Sequence, residues 1–240
     1  MSSSTPRVIV TTSWDDGHML DLRVAELLAK YNIKGTFYVS PHDVEFKQIK
    51  LLQNTDIKNL SKGFEIGAHT MTHPTLTILG DSAAYQEIIC SKKFLEKVIG
   101  KKVKSFCYPK GKYQERHVKM VKEIGFSMAR TTKRYNTRID TKNPFEINTS
   151  IHAYRHWSDI FSIIRVARFN PVNTIKYVLN WDLLAIAYFE KICTEGGVFH
   201  LWGHSWEIDK NKDWGRLENV LTVISNRKNI DYVDNGSLLS

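Results

Sequence analysis

The 240 residues carry 34 Lys and Arg against 25 Asp and Glu, a formal charge of +9, with 42% hydrophobic and 25% charged residues. That balance fits a single soluble globular domain over 1–240 and excludes a disordered or fibrous chain, and no run approaches the roughly 20 apolar residues of a membrane helix. The basic residues are scattered rather than clustered with aromatics, which favours solvated surface over a nucleic-acid partner.

The N-terminal Met1-Ser-Ser-Ser-Thr-Pro-Arg lacks the apolar core and cleavage site of a leader, so a cytoplasmic protein is expected. Val8–Ser13 then predicts a buried strand, and Asp21–Tyr31 a helix with Leu22, Ala25, Leu28 and Ala29 on one face. Gly35–Val39 reads as a strand, Ile57–Ser61 as a short helix and Phe64–Ala68 as a strand. A long helix is predicted over Asp81–Ile99, with Asp81 or Ser82 as its cap and Gly100 as its end. Strand Val103–Tyr108, helix Gln114–Ile124, strand Phe126–Arg130 and a short strand at Phe145–Ile147 follow. Helices over Trp157–Phe169 and Asn173–Cys193, strand Val198–Trp202 and a last helix over Trp214–Asn226 complete the chain. This alternation predicts an α/β fold with a mainly parallel sheet, a barrel as readily as an open sheet, and chemistry at the C-terminal strand ends. The three cysteines, Cys90, Cys107 and Cys193, form no CxxC pair and suit reduced thiols.

Four segments at predicted strand ends carry candidate chemistry. In Trp14-Asp15-Asp16-Gly17, adjacent carboxylates leaving a strand diverge, so one can bind a metal while its neighbour faces water; alone, the pair also fits a plain turn. In His69-Thr-Met-Thr-His73-Pro74, the four-residue spacing places both imidazoles on one face of a helical turn. Two imidazoles and a carboxylate leave coordination positions open for water and substrate. Cys107-Tyr108-Pro109-Lys110-Gly111 is a strand end running into a loop whose backbone N–H groups can meet an oxyanion, though as a bare pattern it is better read as an ordinary strand-end turn. In His200-Leu-Trp202-Gly-His204-Ser-Trp206-Glu207, either histidine can be a general acid, with His200 better read as an interior side chain, and the tryptophans offer faces for sugar stacking.

In this order the segments resemble the polysaccharide deacetylases of carbohydrate esterase family four. Ser13-Trp14-Asp15-Asp16-Gly17 is similar to the family's Thr-Phe-Asp-Asp-Gly, and His69-Thr70-Met71-Thr72-His73 matches its His-Ser/Thr-x-x-His. Leu201-Trp202-Gly203-His204 is a looser Leu-x-His with one extra residue. The resemblance implies a distorted (β/α) barrel of about seven strands. It implies that Asp16, His69 and His73 bind one divalent ion, usually Zn2+ and in some members Co2+, Ni2+ or Fe2+. It makes Asp15 the base, His204 the acid to the departing sugar amine, and the Tyr108 backbone N–H an oxyanion donor. The substrate implied is an N-acetylated sugar, with Trp14, Pro109, Trp202 and Trp206 as candidate contacts. Cys107 stands where the family often has a base-orienting arginine, and Arg130, ending the next predicted strand, is the candidate replacement. The family's fourth motif, an Asp near a Trp, has no counterpart; Trp181-Asp182 lies inside a predicted helix. An allantoinase-like amide hydrolase and an inactive glycan-binding protein are the alternatives, both opposed by the retained base and ligands.

Overall fold

The computed structural model describes residues 6–138 and 142–239. The apolar run after Arg7 forms β1 (Val8–Trp14), and all seven of its residues are buried. A strand covered on both faces needs no polar alternation, and its β-branched residues suit the pleat. Next come α1 (Asp21–Lys30), β2 (Thr36–Val39), α2 (Asn54–Leu60) and β3 (Glu65–Ala68). α3 (Asp81–Ile99) ends where Gly100 takes φ 68°, the left-handed cap that glycine adopts at least cost. β4 (Ser105–Cys107), α4 (Glu115–Glu123) and β5 (Met128–Arg130) follow. The remaining elements are β6 (Ile151–His152), α5 (Ile160–Val166), α6 (Pro171–Leu179), α7 (Trp181–Glu195), β7 (Gly197–Gly203), α8 (Ser205–Lys210), α9 (Trp214–Ile224) and β8 (Ile230–Tyr232).

The strand ladders are parallel, in the order β5-β4-β3-β2-β1-β7-β6. β1 is the centre: β7 runs along its whole length, from Val8 opposite Gly197 to Trp14 opposite Gly203. β8 meets Val8–Val10, and β2 meets Ser13 and Trp14. Residues 147–152 then cross the remaining seam, because Ile147 bridges Arg130 of β5 while β6 pairs with β7. The sheet thus curls into the expected distorted barrel with helices around it. One core cluster runs from β1 and α1 through Phe37, Phe106 and Leu95 to Phe199 and Leu221. Each fully buried Leu or Phe in it is worth roughly 1.5–3 kcal/mol.

Several predicted elements change. The helix expected over Asn173–Cys193 breaks at Asn180, which takes φ −133° and ψ 95° and caps α7 while its side-chain oxygen accepts from Arg216. The helix expected over Trp157–Phe169 shortens to α5, stopped by Arg168 and Phe169 at φ 51° and 60°. The strand expected at Phe145–Ile147 is a single bridge. β6, β8 and α8 were not anticipated; strands of two or three residues are too short to show periodicity.

Candidate active site

Asp15 extends β1, its N–H donating to the Gly203 carbonyl at 3.0 Å. Asp16 and Gly17 then take φ 79° and 73°. A Cβ on Gly17 would lie 2.8 Å from Val39 Cγ1, so the turn needs glycine there. This reversal sends the two carboxylates apart, Asp15 toward β5 and Asp16 toward the loop after β3.

That loop is not the helical turn expected from the histidine spacing. Thr70 and His73 sit in the left-handed region at φ 65° and 62°. Glu87 of α3 braces the bend, its carboxylate accepting from the Met71 and Thr72 N–H groups and the Thr72 hydroxyl at 2.8–2.9 Å. Ser40 Oγ donates to the His69 carbonyl at 2.8 Å. The two rings therefore converge through a strained, buttressed loop, with centroids 4.8 Å apart.

His69 Nδ1 faces the Cys107 carbonyl at 2.8 Å. A carbonyl only accepts, so Nδ1 carries the proton and Nε2 presents a lone pair. Burial, partly countered by Asp15, holds the ring down to about 4, so it is neutral at pH 7. Asp16 Oδ1 lies 3.6 Å from His69 Nε2 and 3.4 Å from His73 Nε2. This buried oxygen has no hydrogen-bond partner, an arrangement that costs free energy unless a cation lies between the three groups. The donor atoms lie within 4.8 Å of one another, and two imidazoles with one carboxylate suit a divalent cation at an open site. Trp206 Nε1 donates to the other Asp16 oxygen at 2.8 Å and fixes the carboxylate's orientation.

Asp15 is nearly fully buried and is bound through both oxygens by Arg130 Nη2, with the Cys107 thiol 3.7 Å away. Burial alone would raise this carboxyl, but Arg130, then His69 and His204, hold it down to about 2. The same pairing raises Arg130, whose guanidinium lies between the Tyr38 and Trp202 rings at 5.2 and 4.8 Å. Burial pushes the Cys107 thiol up, and its sulfur lies against the Asp15 carboxylate. Arg130 thus holds the Asp15 carboxylate from the last residue of β5.

His204 caps the start of α8, and its Nε2 lies 3.9 Å from Asp16 Oδ2. Its Nδ1 meets Glu207 at 2.5 Å, and the same Glu207 oxygen is 3.1 Å from His152 Nε2. Burial works against protonation of His204, yet Asp16 and Glu207 together lift it to about 9. Glu207 is correspondingly held well below the usual carboxylate range. Glu207 is thus the carboxylate partner of His204 and His152, and its signal in the sequence was only the His-x-x-Glu spacing. His200 is an interior side chain, with Nε2 2.8 Å from Ser13 Oγ and burial lowering it to about 3.

Other predicted positions fall differently. Tyr108 does not offer a free N–H: it donates to the Arg130 carbonyl at 3.3 Å, and its ring is buried against Tyr113. Trp14, Pro109 and Trp202 are buried, with Trp202 stacked on His152 at 3.8 Å, so none presents a face to a sugar. Of these four predicted contacts, Trp206 alone keeps part of its surface in solvent.

A family model described as Polysaccharide deacetylase matches residues 2–129, just over half the chain. YxkH of Bacillus subtilis is 27% identical over 126 residues, covering 52% of this chain and 44% of its own length. A peptidoglycan-N-acetylglucosamine deacetylase of Bacillus cereus is 26% identical over 119 residues, covering 49% and 42%. The match thus spans less than half the length of those relatives. A CE4 family pseudoenzyme of Bacillus anthracis aligns over 99% of this chain and 67% of its own, with TM-score 0.58 and 16% identity, a likeness of fold alone.

Proposed function

Because the chain belongs to the polysaccharide deacetylase family, we propose that its site hydrolyses the N-acetyl group of an acetamido sugar with one divalent cation held by Asp16, His69 and His73. The observation that carries this reading is the buried, unpartnered Asp16 Oδ1 facing two imidazole nitrogens beside an ionised, arginine-held Asp15. The donor set suits Zn2+, and Co2+, Ni2+ or Fe2+ can take the same ligands. When bound, the cation supplies the Lewis acidity that polarises the acetamide carbonyl and acidifies the attacking water.

The chain's own groups do the rest. Asp15 stays ionised across the neutral range and takes the proton of the attacking water, while Arg130 fixes its direction. His204, protonated and held by Glu207, gives its proton to the departing sugar nitrogen. The Tyr108 N–H is committed to the sheet and is not the oxyanion donor. Lys110 stands at the rim, its Nζ 2.6 Å from Glu45, which in turn is 3.5 Å from His73. The exposed part of Trp206 is the surface left for the sugar ring.

The test pairs Asp15→Asn with His73→Ala, measuring bound metal and acetate released from N-acetylglucosamine oligomers. Asp15→Asn should keep metal and lose turnover, and His73→Ala should lose both. Full turnover in the Asp15 variant would remove the assigned base.

A further inference from the structure

Ten large hydrophobic side chains are strongly exposed among the described residues, and six of them lie between 157 and 179. Trp157, Phe161, Phe169, Val172, Ile175 and Leu179 thus crowd onto the α5–α6 hairpin, with both phenylalanines 78% exposed. A concentration of this kind marks a contact surface rather than the ordinary scatter of apolar residues. The hairpin's inner face is already seated, since Ile163, Ala167 and Val178 are buried. On α6 the exposed apolar residues follow helical spacing at 172, 175 and 179, while Phe161 lies on α5, with Trp157 just before that helix and Phe169 just after it.

The cations are interleaved with that stripe. Arg155, Arg165, Arg168 and Lys176 are exposed beside it, and Arg155 lies 4.8 Å over the Trp157 ring. The hairpin's acidic residue, Asp159, is bound by Arg134 and Tyr135 at 2.8–3.0 Å. The outer face is therefore apolar and cationic together. A second copy packed face to face would set these arginines against their own images, which opposes self-association. Aromatic and aliphatic side chains flanked by Arg and Lys suit a bilayer interface with anionic headgroups. No helix among the described residues is long and apolar enough to cross a membrane, so the contact would be one of lying on the surface.

We propose that the outer face of the α5–α6 hairpin docks this protein on an anionic membrane surface. The position has a consequence for the site. Trp157 is five residues beyond His152, the residue bound to Glu207, so their Cα atoms lie within about 18 Å. Docking would hold the catalytic rim close to headgroup level. The inference rests on exposure and charge and does not depend on the chemistry proposed above.

The test is co-sedimentation of the full chain with phosphatidylcholine vesicles, with and without phosphatidylglycerol. Binding is expected to the anionic vesicles only and to weaken with added salt. Phe161→Ser/Phe169→Ser should bind at least about tenfold more weakly, and Arg165→Glu/Arg168→Glu roughly tenfold or more. Unchanged thermal melting would show that both variants fold. Failure of the native chain to bind anionic vesicles overturns the proposal, as does unchanged binding by both variants. A concentration-dependent dimer abolished by the Phe161/Phe169 variant, without vesicle binding, would assign the face to a second copy instead.

Discussion

Arg130→Met tests the buried ion pair beneath the site. Arg130 is fully buried and Asp15 nearly so, and Arg130 Nη2 bonds both Asp15 oxygens. Removing the guanidinium leaves a buried carboxylate with the Cys107 thiol at 3.7 Å and only the weaker pull of His69 and His204. Breaking a buried pair from one side costs about 3–5 kcal/mol. For a chain of this size that corresponds to a drop in Tm of about 6–20 °C. The pH dependence sharpens the test. In the native protein the Asp15 carboxyl is held at about 2, below its ordinary 3.8, so its stabilising contribution is complete above 3.8 and is lost as pH falls toward 2. Without Arg130, burial dominates and raises the folded-state value above 3.8, so the same carboxyl destabilises the neutral protein and recovers as it is protonated. The gap between native and variant should therefore narrow as pH falls from 7 toward 4. Chemical denaturation of the metal-free proteins at several pH values measures it. A loss under about 1 kcal/mol at pH 7, or a gap that widens on acidification, would refute the pairing argument.

Glu207→Gln should move the alkaline limb of kcat/KM to lower pH, because His204 acts protonated and Glu207 helps hold it up to about 9; an unmoved limb would separate Glu207 from the acid. Trp206→Phe removes the 2.8 Å hydrogen bond to Asp16 and should weaken metal binding roughly 10–100-fold, read by competition with a chelating dye. Gly111→Ala places a Cβ 2.0 Å from Thr132 Oγ1 at φ +65° and should cost about 1 kcal/mol or more in a denaturant melt.

The central barrel was legible because β1 is a continuous apolar and β-branched run, α1 and α3 are long enough to show a buried face, and α3 ends at Gly100. β6 and β8 were not, since they are specified by pairing with β7 and β1 rather than by their own residues. The candidate metal ligands were legible as residue types at strand ends, but the shape of the His69–His73 loop was not: its left-handed residues depend on Glu87, fourteen positions beyond His73. Arg130 was legible as the next strand's last residue. Glu207 was not assigned because a helix starts at Ser205, turning what reads as a strand end into a capped histidine–glutamate pair. Tyr108 misled because its N–H lies where β4 and β5 still pair, and the loop that is free of the sheet begins after it.

The most direct measurement is acetate release from N-acetylglucosamine oligomers by metal-stripped protein as Zn2+ is added back. No release is expected without metal, then a linear rise and saturation at one equivalent, with no rise for His73→Ala. Undiminished release in the presence of a strong chelator, or none at full metal occupancy, would contradict a metal-dependent deacetylase.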